Sequence, residues 1–318
     1  MNGLLNINKE AGYTSNDVVA KLRGILKTRR IGHTGTLDPD AVGVLVVCVG
    51  NATRAVSLLT DHDKEYIAVC RLGVTTDTQD LSGNIISEKP VGVDRRMLLD
   101  TLSRFTGDYD QLPPMYSAVK VGGKRLYELA RKGVEVERTP RRIHIDRITL
   151  LDDSMLSEGL FTMEVRCSKG TYIRTLCNDI GESLSCGGAM ASLTRTAVGS
   201  FRLEDARTLS EIEALRDSGE LDSVLLPTQD IFRDLDVLTI KDSVRKYVIN
   251  GNPFTEKDIL DLSPSDTLQL SDSPVEQTDG MRVRVTDTDG TFYGIYMYDA
   301  RLKKYRVEKF FYSDADNK

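Results

Sequence analysis

The 318-residue chain is 40% hydrophobic and 28% charged, the balance of a globular protein that buries a core. No apolar run approaches the roughly 18 residues of a membrane span. The start MNGLLNINKE lacks a signal-peptide pattern, and five scattered cysteines match no zinc spacing, so a cytoplasmic setting with reduced thiols is expected. The net charge of −6 hides a segregation: residues 204–280 hold seven basic and eighteen acidic residues, whereas 119–147 hold nine basic and four acidic. Local charge decides where a polyanion lands, so the second stretch is a candidate nucleic-acid surface and the first a solvated acidic one.

In chain order, Gly3 to Ile7 reads as a strand, and Thr14, Ser15 or Asn16 caps a helix with Val18, Val19, Leu22 and Ile25 on one stripe. After the loop IGHTGTLDPDAVG, residues 44–49 are continuously apolar, the pattern of a central strand covered on both faces. Asn51 is placed to cap a helix through Leu59, and 66–72 form another strand. A helix over 94–105 puts Met97, Leu98, Leu102 and Phe105 on one side. Residues 161–167 alternate as a half-buried strand that runs into Lys169-Gly170-Thr171, where Thr171 is placed to cap the next helix. Ser210 with Glu213 predicts a capping box. Beyond Leu226-Pro227 come short strands near 237–240, 281–285, 292–298 and 304–311, with 255–280 expected as an acidic surface loop. The expected class is α+β: helices around a mixed, mostly antiparallel sheet, then a small β-rich C-terminal domain, divided as 1–232 and 233–318.

Asp38 sits in Leu37-Asp38-Pro39, where the proline enforces extended geometry and glycines permit tight turns nearby. Such a carboxylate suits a nucleophile, a general base, a metal ligand or an Asx turn that stabilises its own loop. His33, five residues earlier, lacks the spacing of a helical metal pair. Tyr66 reads as a cross-strand aromatic. Lys169, Tyr172 and Arg174 surround a strand-to-helix turn suited to an anion, although Arg174 equally fits an exposed helix surface. No P-loop, dinucleotide fingerprint or nucleophile elbow is present, so no cofactor is expected.

Six segments occur together: GHTGTLDP with GNATR, KEYIAVCRLGVTTDTQD, PPMYSAVKVGGKRLYELARKG, CSKGTYIRTLCNDIG and LTRTAVGSF. In this order they resemble the bacterial tRNA pseudouridine-55 synthases, the TruB family, from about Gly3 through Phe201 and more weakly beyond, where a PUA-type RNA-binding module is implied. The resemblance implies that Asp38 attacks the target uridine, that Tyr66 stacks on the flipped base and that Arg174 pairs with Asp38. His33 would enter the T-loop, and Tyr172, Leu193 and Arg195 would line the pocket. It also places Lys9, Asp80 and Lys169 among the substrate-side residues. Residues 119–142, with Lys124 and Arg125, correspond to a basic insertion that closes over RNA. The implied partner is the T-arm of tRNA, bound by a monomer without guide RNA, membrane or cofactor. This chain departs from the pattern at Glu10, where proline is usual, and at Asp40, where an apolar residue is usual.

Overall fold

The structure is a computed structural model that describes residues 1–265 and 277–312. The chain begins with β1 (Gly3–Lys9), α1 (Ser15–Ile25), β2 (Ile31–His33), β3 (Val42–Val49), α2 (Val56–Leu59) and β4 (Lys64–Leu72). A hairpin of β5 (Val74–Thr76) and β6 (Ile85–Glu88) follows, then α3 (Arg95–Arg104) and β7 (Gly107–Gln111). The basic insertion holds β8 (Lys120–Val121), β9 (Lys124–Arg125) and α4 (Leu126–Ala130). Next come β10 (Arg141–Asp152), β11 (Leu160–Cys167), α5 (Ile173–Ser183), β12 (Gly188–Val198), β13 (Phe201–Arg202) and α6 (Leu209–Ser218). The C-terminal part comprises β14 (Asp236–Ile240), α7 (Arg245–Val248), β15 (Phe254–Thr255), β16 (Ile259–Ser263), β17 (Arg282–Thr286), β18 (Phe292–Asp299) and β19 (Lys304–Phe310).

The large sheet runs β1-β3-β12-β4-β11-β10-β7, with β2 on β3 and β13 on β12. Only β12 against β3 is parallel; the other pairs are antiparallel. The class is α+β, as the sequence predicted. A second sheet, β15-β19-β18-β17-β14-β16, is the β-rich C-terminal part, PUA-like in composition and position.

The apolar run of β3 has a two-sided cause. Leu45, Val47 and Val49 alternate onto one face and pack with Leu5 and Ile7 against α1 and α6. Val44, Val46 and Cys48 face the other way, into a core shared with Phe232, Ile295 and Phe311. With a side-chain period of two, neither face sees water, so every position is apolar. That shared core also joins the second sheet to the first. On the far side of the large sheet, β4, β11 and β12 bury Tyr66, Ala68, Met163, Val165 and Leu193 with Leu176, Cys177 and Ile180 of α5. Helix α5 approaches β12 so closely that a Cβ on Gly181 would lie 2.2 Å from the Gly187 carbonyl carbon.

Several local expectations are corrected. Asn51 caps no helix: its amide donates to Phe311 O at 2.8 Å and its carbonyl accepts from Thr228 Oγ1 at 3.2 Å, so docking of the C-terminal segment takes the group. The capping box of α6 is Thr208 with Glu211, because Leu209 is buried and starts the helix two residues earlier; Glu213 pairs with Arg216 instead. Thr171 donates to Ser168 O, and α5 begins after Tyr172. Met97 is exposed; the inward stripe is Leu98, Thr101 and Leu102. The acidic 255–280 stretch is not simply a loop, since Ile259–Ser263 pair with β14; residues 266–276 lie outside the described residues.

Candidate active site

The loop between β2 and β3 carries Asp38 and is held from three elements. Buried Ser15, at the start of α1, accepts from Leu37 N at 2.9 Å and donates back to Leu37 O. Lys9, at the end of β1, is fully buried and donates from Nζ to Pro39 O at 2.9 Å and Glu10 O at 3.0 Å. From β12, Arg195 is 2% exposed and donates to Val44 O at 2.7 Å, Gly35 O at 3.2 Å and Thr36 O at 3.5 Å. Gly43 permits this approach: at φ +101° its absent Cβ would lie 2.3 Å from Arg195 O. Both buried cations neutralise carbonyl dipoles of one loop, so the loop is fixed before any substrate arrives. Burial pulls the Lys9 ammonium down to about 8, against the opposing pull of Asp40 and Asp38.

The fixed carboxylate faces Arg174 on the first turn of α5. Arg174 Nε lies 3.0 Å from Asp38 Oδ2, and Nη2 lies 3.3 Å from Oδ1, a two-point pairing that suits a planar guanidinium. The guanidinium is itself enclosed. Nη1 donates to Thr78 O at 3.1 Å and lies 3.5 Å from Asp80, while Nη2 donates to Tyr116 O at 2.8 Å. Asp80 is set by Thr78 and Ser82, both bonded to its Oδ1. Burial raises the Asp38 carboxyl above the ordinary carboxylate range; Arg174 opposes this most strongly, whereas Asp80 and Asp40 add to it. The Asp38 side chain nevertheless keeps 39% of its surface open, against 7% for Arg174. A partly open carboxylate is thus presented by a rigid loop and oriented by a buried cation.

Tyr66 is 8% exposed and lies opposite Arg195 across the β4–β12 pairing. Burial pushes its hydroxyl up, so it remains a neutral phenol. Tyr172 precedes the first residue of α5 and is half-buried, and its hydroxyl is likewise raised by burial. Leu193 is buried opposite Ala68. His33 ends β2; burial, and then the neighbouring Arg195, lower its imidazole below the ordinary range. Lys124 and Arg125 are exposed in the insertion. Three expected substrate contacts are engaged elsewhere: Lys169 pairs with Asp61 at 2.7 Å, and Lys9 and Arg195 give their donors to the loop and its flanks.

Sequence reading missed Gln111. It is 1% exposed at the end of β7; its Oε1 accepts from Tyr172 N at 2.7 Å and its Nε2 donates to Tyr172 O at 3.1 Å. The one signal in the sequence was a glutamine two residues before the PPMYSAV segment, with Leu112 between them. Among the described residues no group of three or more His, Cys, Asp or Glu side chains is placed to hold a metal ion.

Two family models cover the chain in succession: TruB family pseudouridylate synthase, N-terminal domain, over residues 23–173, and tRNA pseudouridylate synthase B C-terminal domain over 174–233. A tRNA pseudouridine synthase B of Lachnoclostridium phytofermentans is 46% identical over 316 residues, covering 98% of this chain and 100% of the relative. That of Bacillus subtilis is 41% identical over 300 residues, 93% of each. Among solved structures, a Cbf5-Nop10-Gar1 complex contains a chain with TM-score 0.70 and 26% identity, covering 98% of this chain and 86% of that one. An H/ACA RNP bound to a substrate RNA shares the fold at TM-score 0.69 and 23% identity, with 98% and 85% covered. The fold is that of a pseudouridine synthase, with an aspartate–arginine pair at the mouth of its central sheet. By sequence, the chain belongs to the TruB family of pseudouridylate synthases, which are isomerases.

Proposed function

We propose that this enzyme isomerises uridine 55 in the T-loop of tRNA to pseudouridine, with Asp38 as the nucleophile. The observation that carries the reading is the two-point Arg174–Asp38 pair, 3.0 Å and 3.3 Å, on a loop immobilised from β1, α1 and β12. The names of the relatives support tRNA as the substrate. In this reading the target base leaves its stack, at a cost of roughly a few kcal/mol, and Tyr66 offers a platform whose stacking offsets roughly 1–3 kcal/mol. The wedge that fills the vacated space is His33, uncharged near pH 7. Tyr172, Leu193 and Asp80 shape the pocket, and Lys9 and Arg195 act through the loop that they hold. The glycosidic C–N bond breaks, the uracil turns, a C–C bond forms, and the C5 proton is lost while N1 gains one. Reactant and product are isomers, so no oxidant or group donor is consumed.

Residues 119–142 form the flap over the RNA, with Lys124 and Arg125 on phosphates. Residues 1–232 make up the catalytic unit and 233–318 a PUA-like RNA-binding unit. The enzyme acts as a cytoplasmic monomer without guide RNA, a reading supported by the basic flap; no helix among the described residues is long and apolar enough to cross a membrane. The deciding experiment incubates purified protein with unmodified tRNA and maps pseudouridine. Product at the T-loop uridine, absent with Asp38→Asn although binding stays within a few-fold, is expected. Wild-type turnover by Asp38→Asn would remove it as nucleophile, and product only upon adding a guide RNA would replace the stand-alone reading.

A further inference from the structure

The flap and the catalytic arginine share an anchor. Strand β7 ends at Gln111, and the chain then passes through Leu112-Pro113-Pro114-Met115 to Tyr116, whose carbonyl accepts from Arg174. Two consecutive prolines, both buried, stiffen this root, and Arg138 at the flap's other end donates to Pro113 O at 3.0 Å. Beyond Ser117 the flap has little of its own to hold it: two two-residue strands and a five-residue helix.

Gln111 closes the circuit. Tyr172, the residue before α5, has no side-chain cap of its own; the Gln111 amide accepts from its N–H and adds a second donor to its carbonyl, which also accepts from Leu176 N at 3.0 Å. The same Nε2 donates to Tyr109 OH at 2.5 Å, and Tyr109 lies 3.4 Å from Asp179, nearly two turns along α5. One buried amide therefore grips the first turn of α5 from the strand that launches the flap, two residues before the arginine that orients Asp38.

We propose that Gln111 is a positioning residue that ties the flap root to the start of α5, so that the guanidinium facing Asp38 takes its place from the seated root. This rests on the reading of Asp38 as nucleophile. Without the amide, the Tyr172 N–H loses its acceptor and the Tyr172 carbonyl keeps only Leu176 N, so the first turn of α5 loosens and Arg174 no longer presents two nitrogens to one carboxylate.

The test compares full-length wild type, Gln111→Met, which keeps the volume without the hydrogen bonds, and Gln111→Ala. Single-turnover pseudouridine formation and affinity for an unmodified tRNA transcript are measured separately. In both variants the rate is expected to fall roughly 10- to 100-fold while affinity stays within about threefold. A rate within twofold of wild type, or a loss of affinity as large as the loss of rate, overturns the proposal. Hydrogen exchange on the free proteins gives a readout that needs no turnover: faster exchange at 115–117 and 172–175 is expected in Gln111→Met. Unchanged protection there refutes the clamp even if wild type proves inactive on tRNA, which would instead defeat the substrate assignment.

Discussion

The loop at 34–43 and the insertion at 119–142 are both glycine-bearing segments, the first carrying Asp38 and the second following the root whose Tyr116 carbonyl accepts from Arg174, yet they are built in opposite ways. The loop is held by Ser15, Lys9 and Arg195, three buried side chains from three elements. The flap contains one fully buried side chain in its helix, Leu126, and exposes Lys120, Lys124, Arg125 and most of their neighbours. In the proposed mechanism the reacting oxygen must be held to fractions of an ångström, which a loop made rigid during folding provides. In the proposed function a folded RNA must be admitted and released, and a flap with so little internal packing would take its order from contact with the polyanion.

The contrast is broken most forcefully at Gly43. Gly43→Ala drives a methyl into the Arg195 backbone at positive φ, and a loss of about 3–5 kcal/mol, or failure to fold, is expected in urea denaturation. Arg195→Met leaves two loop carbonyls and that of Val44 in β3 without this donor and is expected to cost about 2–4 kcal/mol, with pseudouridine formation reduced in the fraction that remains folded. Arg174→Lys keeps the charge but loses the planar fork. A rate reduced roughly 10- to 100-fold in single turnover, with tRNA affinity nearly intact, is the expected result, and a loss confined to affinity would make Arg174 a phosphate ligand.

Removing charge from Lys124, Arg125, Arg131 and Lys132 together sharpens the other side of the comparison. Stability is expected to stay within about 0.5 kcal/mol of wild type, because all four residues are exposed. Affinity for tRNA should fall, and its log–log salt dependence should flatten by roughly 0.7–0.9 for each phosphate that is no longer neutralised. The last expected effect is a pH dependence. Lys9 titrates near 8 in the fold and near 10.5 when free, so between those values the unfolded chain binds the extra proton and stability rises with pH. Wild type is therefore expected to gain stability relative to Lys9→Met between about pH 8 and 10.5. Parallel curves for the two proteins would show that the ammonium is not desolvated.

Periodicity carried the sequence reading where burial follows a simple rule. The unbroken apolar run of 44–49 announced a strand covered twice, and the stripe Val18, Val19, Leu22 and Ile25 announced the helix that covers one side of it. Side-chain hydrogen bonds were less legible. Asn51 and Thr171 carry the right chemistry for caps, but a cap is a local option, and each side chain found another acceptor. Gln111 was invisible for the converse reason: its partner lies 61 residues away, and nothing in a glutamine's own neighbourhood marks such a pairing.

The sequence by itself determined the apolar periods, the rigid Leu37-Asp38-Pro39 corner and the charge separation between 119–147 and 204–280, since each depends on residues close together in the chain. Only the tertiary structure decided that Lys9 and Arg195 hold that corner, that Arg174 faces Asp38, and that Asn51 binds the C-terminal segment. A buried cation or amide can remain only where carbonyls or carboxylates from distant strands replace the water it gave up, and those partners come together only once the sheet has formed.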